Sequence, residues 1–222
     1  MTEVGTTTIK MRAYYSSYHL WAANHFVQLG VNIETAHSGK PIFIIEHRTY
    51  VTNAIFSSVA FMEAAINEIF QDATDNHQSY ISPLDADTQA LMVTLWDLTE
   101  ERNRSAFSVL DKYQIALTFA REKPFPKGDL LYQDTDLVIK LRNELVHYKP
   151  KTLGGSDIHK FENSLRGKFP LNALMNGSGN PFFPDKCLGY GCAQWAVNSC
   201  KNYVDTFFAK LGIIPNYERV KF

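Results

Sequence analysis

Between Tyr50 and Phe70 the apolar residues Ile55, Val59, Met62, Ile66 and Ile69 follow one another at steps of four, three, four and three. That spacing returns to one side of the chain once per helical turn, so it predicts an α-helix with an apolar face. Phe56, Ala60, Glu63 and Asn67 form a neighbouring line that widens the apolar arc. A helix with so wide an arc needs neighbours on more than one side, which predicts a place at the centre of a bundle. Glu63 and Asn67 are the polar members of that line, one turn apart at the rim. They read either as a surface pair or as residues that face and orient a functional helix.

The rest of the chain reads as further helices. Arg12 to Leu29 carries Tyr14, Tyr18, Trp21 and His25 on one line and Tyr15, Ala22, Phe26 and Leu29 on the next, and Gly30 is expected to end it. His19 and His25 are expected to be packing or surface residues. Ile42 to Ile45 is β-prone and reads as one strand or an extended connector. Asp87 or Thr88 is positioned to cap a helix reaching Leu98. Ser105 to Arg121 carries Phe107, Leu110, Tyr113 and Leu117, and Pro124, Pro126 and Gly128 break it. Ala193 to Leu211 places Trp195, Ser199, Tyr203 and Phe207 on one line, with Gly212 and Pro215 as the stop.

The expectation is an all-α fold. Its core is a four-helix bundle of 50–71, 105–121, 134–148 and 192–211, with an extra N-terminal helix packed outside. Residues 1–46, helix plus connector, are expected to pack on a helical domain spanning 47–222, as one structural unit. Residues 149–191 form a long loop before the last helix, rich in Gly, Pro and Asn, with a short helix expected at Ser156 to Arg166. Connections of that length carry function or order on a partner.

Composition narrows the function. The chain is 45% hydrophobic and 20% charged, which suits an ordinary globular core. No apolar run approaches the length of a membrane span. Met1 to Lys10 lacks an apolar core, so no signal peptide is expected and the cytoplasm is the expected compartment. Cys187, Cys192 and Cys200 contain no CxxC pair, so they read as small buried residues, and neither a metal nor a cofactor is expected. The net charge of −1 gives no bulk attraction to nucleic acid. Its distribution is uneven: nine acids and no Lys or Arg from Glu63 to Glu101, then seven Lys or Arg against three acids from Val138 to Lys168. A local basic patch holds a phosphate backbone where the whole chain would not. The alternative is that the two stretches face each other or solvent.

The basic stretch contains Leu141-Arg142-Asn143-Glu144-Leu145-Val146-His147-Tyr148-Lys149-Pro150. Leu137, Leu141 and Leu145 give it an amphipathic helical seam, Asp134 or Asp136 is placed to open the helix, and Pro150 to close it. Arg followed by four to six residues and His is a common spacing; Arg12 to His19 matches it too. Arg142 differs in its context, with Asn143 directly after it at the end of the third bundle helix.

Those residues resemble the HEPN superfamily (higher eukaryotes and prokaryotes nucleotide-binding), whose signature is Arg, four to six residues, then His, with a polar residue favoured just after the Arg. Ser57 to Glu68 and Cys192 to Val197 have the same flavour, so the resemblance spans about 47–212. It implies a metal-independent endoribonuclease, a toxin or defence effector, working as a homodimer on RNA, with an antitoxin or other protein as a further partner. It implies catalytic roles for Arg142, Asn143 and His147. Other family members are non-catalytic nucleotide-, RNA- or protein-binding or dimerisation modules, which is the alternative. Glu63 and Asn67 enter as supporting residues on helix geometry alone, and Lys140, Lys149 and Lys151 as RNA contacts on charge.

The chemistry is coherent on its own terms. RNA supplies a 2′-OH nucleophile, an imidazole moves protons near neutral pH, and a guanidinium grips a phosphate through two parallel hydrogen bonds. One difficulty follows from helix geometry. Arg142 and His147 lie about 140° apart around a helix, whereas Asn143 and His147 share a face. Either the helix loosens at its end or a second subunit completes the site.

Overall fold

The apolar line that opens the sequence argument forms the centre of the molecule. Helix α2 runs over Ile45–Thr74, and Ile55, Val59, Met62, Ile66 and Ile69 are all buried. The computed structural model describes residues 11–37, 39, 41–101, 107–149 and 160–219, and among them there is no strand. The helices are α1 (Tyr15–Ala36), α2, α3 (Ala86–Glu101), α4 (Val109–Phe119), α5 (Leu130–Val146), α6 (Lys160–Leu165) and α7 (Tyr190–Leu211). α2 packs against α1, α3, α4, α5 and α7, and α7 also meets α1, α4 and α5. The two long helices are therefore the joint axis of the core. Among the described residues no helix is long and apolar enough to cross a membrane.

Helix α1 continues through Gly30 to Ala36, so glycine does not end it. A glycine inside a helix costs about 1 kcal/mol relative to alanine, and tertiary contacts outweigh that here. Gly30 is packed between Val51 and Tyr190. One turn on, buried Glu34 accepts from the backbone N–H of Tyr190 at 2.6 Å and of Ala173 at 3.1 Å, and pairs with His47 Nε2 at 2.7 Å. The carboxylate thus sits at the N-terminus of α7, where unpaired N–H groups favour an anion. Leu20, Ala23 and Val27 of α1 belong to the same buried cluster as the α2 and α7 side chains.

Several boundaries correct the sequence reading through local chemistry. Ile42 to Ile44 is an extended connector; Ile42 N–H donates to the Leu174 carbonyl, and the Ile44 carbonyl accepts from Arg48 N–H at the start of α2. Helix α3 is capped by Asp85, which accepts from Thr88 N–H at 2.7 Å, not by Asp87 or Thr88. Helix α4 begins after Ser108, which forms a reciprocal capping box with Asp111. Helix α5 starts at Leu130, a full turn before Asp134. Asp134 and Asp136 do not open it; they hold Lys168 and Lys140, each at 2.6 Å. Gly212 ends α7 in the left-handed conformation at φ 67°, as expected.

The described part of the long connection, 160–189, orders on its own chain. Leu165, Phe169, Leu174, Phe182, Phe183, Cys187 and Leu188 are buried. The short helix is Lys160–Leu165, and Ser156, its expected cap, lies outside the described residues. This segment crosses the start of α7 at glycines. A Cβ on Gly189 would lie 2.6 Å from Asn172 Cα, and one on Gly191 2.7 Å from the Pro170 carbonyl oxygen. No side chain fits at either position, which fixes the glycines there.

Candidate functional site

Helix α5 delivers Arg142 because its apolar face is committed elsewhere. Leu137, Val138 and Leu141 are buried against α2 and α7, which leaves the next residue, Arg142, at the edge of the interface with α2. Its side chain is 29% exposed, and Nη2 lies 4.0 Å from Glu63 Oε2, whose side chain is 43% exposed. At that distance charges attract, but no hydrogen bond forms. Among the described residues Arg142 makes no side-chain hydrogen bond, so the five donors of its guanidinium are unspent there. Glu63 therefore lies beside the Arg/His helix and, at 43% exposure, is at the same time a surface residue.

Asn67 does something else. Its Oδ1 accepts from Lys112 Nζ of α4 at 2.9 Å. Lys112 is only 6% exposed, and its ammonium lies 5.3 Å from the centre of the Trp96 ring. Burial pushes the Lys112 pKa down, and the nearby Glu63 carboxylate partly offsets that. Arg142 of α5 thus lies beside Glu63 of α2, and Lys112 of α4 is held one turn further along α2 at Asn67.

The end of α5 is regular. The helix runs to Val146, and the His147 N–H donates to the Asn143 carbonyl at 2.9 Å, with φ −102° and ψ 30° at His147. The helix does not loosen before His147, so the 140° separation from Arg142 persists. Asn143 and His147 are exposed, and no hydrogen bond or ring contact among the described residues joins His147 to Arg142. One chain presents a guanidinium toward α2 and an imidazole to solvent.

The basic candidates are partly engaged by neighbours. Lys140 pairs with Asp136 along α5. Lys149 is exposed, and Lys151 lies outside the described residues. Lys168 is held by Asp134 and Arg166 lies over the Phe182 ring at 4.1 Å. Lys127, Lys140 and Lys168 line a cleft of about 340 Å³ together with Asp134 and Asp136, so its charge is mixed. Between the acidic and the basic stretch, the one ion pair among the described residues is Glu63 with Arg142.

The remaining candidates are structural. All three cysteines are buried and free; burial pushes the Cys187 thiol up to about 12 and holds Cys192 and Cys200 protonated as well. His25 stacks on Trp21, with ring centres 4.8 Å apart. Sequence reasoning missed Lys112 and the Glu34–His47 pair. Lys112 sits beside the apolar line of α4 like any surface lysine, and only the approach of Asn67 and Trp96 buries it. Glu34 lies beyond Gly30, where the helix was expected to have ended. Compared with protein-family models, with curated proteins and with solved structures, the chain matches none.

Proposed function

We propose that the chain is a HEPN-like, metal-independent endoribonuclease that works as a homodimer. Arg142 grips the scissile phosphate, His147 carries a proton to or from the 2′-OH or the leaving 5′-oxygen, and Asn143 orients His147 or the RNA. The products are a 2′,3′-cyclic phosphate and a 5′-hydroxyl. The observation that carries this reading is the guanidinium of Arg142, which lies 4.0 Å from Glu63 and has no hydrogen bond of its own among the described residues. An arginine kept for packing is normally saturated, whereas one kept for a phosphate needs free donors. The two-fold arrangement is supported by the regular end of α5, which keeps Arg142 and His147 of one chain apart. A toxin or defence role, with an antitoxin as partner, extends this reading.

The test is purified protein on a mixed RNA pool with EDTA present. Wild type is expected to cleave to cyclic-phosphate ends. Arg142→Ala and His147→Ala are expected to be inactive although folded. Mixing the two variants is expected to restore about a quarter of wild-type activity. Half the dimers are then mixed, and each mixed dimer rebuilds one of its two sites. Equal cleavage by wild type and His147→Ala would remove the mechanism. Mixed variants that stay inactive would remove the shared site.

The same separation of Arg142 from His147 favours one second reading, a non-catalytic nucleotide-, RNA- or protein-binding or dimerisation module. In that case RNA binds and is recovered uncut.

A further inference from the structure

We propose that the cleft between α5 and the end of α6 seats one nucleotide of an RNA strand, which then runs along the outer face of α5 to His147. The inference deepens the ribonuclease reading above and rests on it: it says where the strand lies.

Three elements bring lysines to this cleft of about 340 Å³: Lys127 precedes α5, Lys140 belongs to it, and Lys168 follows α6. Asp134 and Asp136 line it too, and each is held at 2.6 Å by a lysine of the cleft, Asp134 by Lys168 and Asp136 by Lys140. Lys127 is exposed, and among the described residues its side chain has no ion pair or hydrogen bond. The cleft is left with one net positive charge and one uncommitted ammonium. A bare anion is repelled by the two carboxylates. A nucleotide uses both signs: its phosphate meets the ammonium groups, its base edge offers N–H donors to carboxylate oxygens, and its rings lie against Tyr132 and Leu137 of the wall. The volume is at the lower end of ligand clefts, room for one such unit.

The direction comes from helix geometry. Gln133, Asp136, Lys140, Asn143 and His147 follow one another at steps of three, four, three and four, so they form one line along α5. Gln133, Lys140, Asn143 and His147 are exposed, and Asp136 is partly so. Lys140 at the cleft and His147 at the helix end are about 10 Å apart along the axis. A strand seated in the cleft therefore reaches the imidazole without leaving this face, whereas Arg142 of the same chain is turned toward α2.

The test measures binding of a fluorescent single-stranded RNA of mixed sequence by anisotropy over a series of salt concentrations. The protein is full-length His147→Ala, inactive under the reading above, so the strand stays whole. Adding Lys127→Gln, at an exposed position that leaves the fold intact, is expected to weaken binding about three- to tenfold. It is also expected to lower the slope of log affinity against log salt by about 0.7, one phosphate contact on a single strand. Lys186→Gln, in a separate cleft beside Leu171 and Asn172, is expected to change neither. The same RNA carrying thiouridine is expected to crosslink, on irradiation, within residues 127–140. Unchanged affinity and slope on adding Lys127→Gln, an equal loss on adding Lys186→Gln, crosslinks that all fall outside 127–140 and 164–168, or RNA that does not bind would each overturn the inference. Its failure and that of the ribonuclease reading are separable. Wild type that cleaves while Lys127→Gln binds as its parent does removes the cleft and keeps the ribonuclease. Binding that depends on Lys127, with RNA recovered uncut from wild type, removes the ribonuclease and keeps the cleft.

Discussion

Arg12 and Arg142 begin the two stretches in which Arg is followed by four to six residues and His. Their side chains are equally exposed, at 29% each. They differ in what surrounds them. Arg12 is paired, with Nη2 on Asp72 and Nη1 donating to Asp75, each at 2.6 Å, and it holds the Asp75 carboxyl below its usual range. Asp72 is fully buried and also accepts from the Tyr14 hydroxyl and the Tyr80 N–H. The carboxyl of Glu68, one turn earlier on α2, accepts from Ser16 N–H and Oγ–H at the start of α1. The Arg12 region is a clasp between α1 and α2. The Arg142 region, among the described residues, has no hydrogen bond on the guanidinium, none on Glu63 and an exposed imidazole. Spacing and exposure do not separate the two arginines; close pairing with carboxylates does.

The comparison breaks if the saturated groups prove dispensable. Glu34→Ala is expected to cost the most, about 3–5 kcal/mol in urea unfolding, because it strands a buried His47 and two backbone N–H groups. Arg12→Ala is expected to cost about 2–3 kcal/mol by leaving buried Asp72 without its cation, a figure reduced because the arginine itself is partly solvated. Arg142→Ala is expected to stay within about 1 kcal/mol, since it removes no hydrogen bond. Equal losses at Arg12 and Arg142 would erase the distinction.

How the two arginines differ in their surroundings was half-legible in the sequence. The apolar line from Ile55 to Ile69 was enough to place α2 at the centre, and Leu137, Leu141 and Leu145 were enough to place α5 beside it. The sequence placed His147 at the end of the helix that carries Arg142, and the structure has it there. The approach of Glu63 was one of two readings of its place at the rim of α2. What did not follow depends on contacts distant in sequence. Helix α1 outlasts Gly30 because Glu34 finds partners more than a hundred residues away. The described part of the 149–191 connection folds inward because Gly189 and Gly191 admit the 170–172 backbone. Lys112 is buried because Asn67, forty-five positions earlier, accepts from it. Periodicity reports which face of a helix is apolar, not which polar residue on the other faces will be covered.

Two smaller effects sharpen the contrast. His147→Ala is expected to lower stability by no more than about 1 kcal/mol, because the side chain is exposed at a helix end and only a dipole interaction is lost. Lys112 supplies a pH signature. Its pKa is depressed in the folded protein, so between that value and the ordinary 10.5 the unfolded chain binds more protons. Stability of wild type relative to Lys112→Met is therefore expected to rise as pH climbs through that window. A flat difference from pH 8 to 10.5 would contradict the burial of a charged lysine.

The measurement that bears most directly on the division between the two arginines is RNA cleavage and thermal stability measured together on Arg142→Lys and Arg12→Lys. Both substitutions keep the charge and lose the planar fork. Arg142→Lys is expected to retain the wild-type melting temperature and lose most of the cleavage activity. Arg12→Lys is expected to melt lower and, at temperatures where it is folded, to cleave as wild type does. The reverse pattern, with activity following Arg12 and stability following Arg142, would contradict the account.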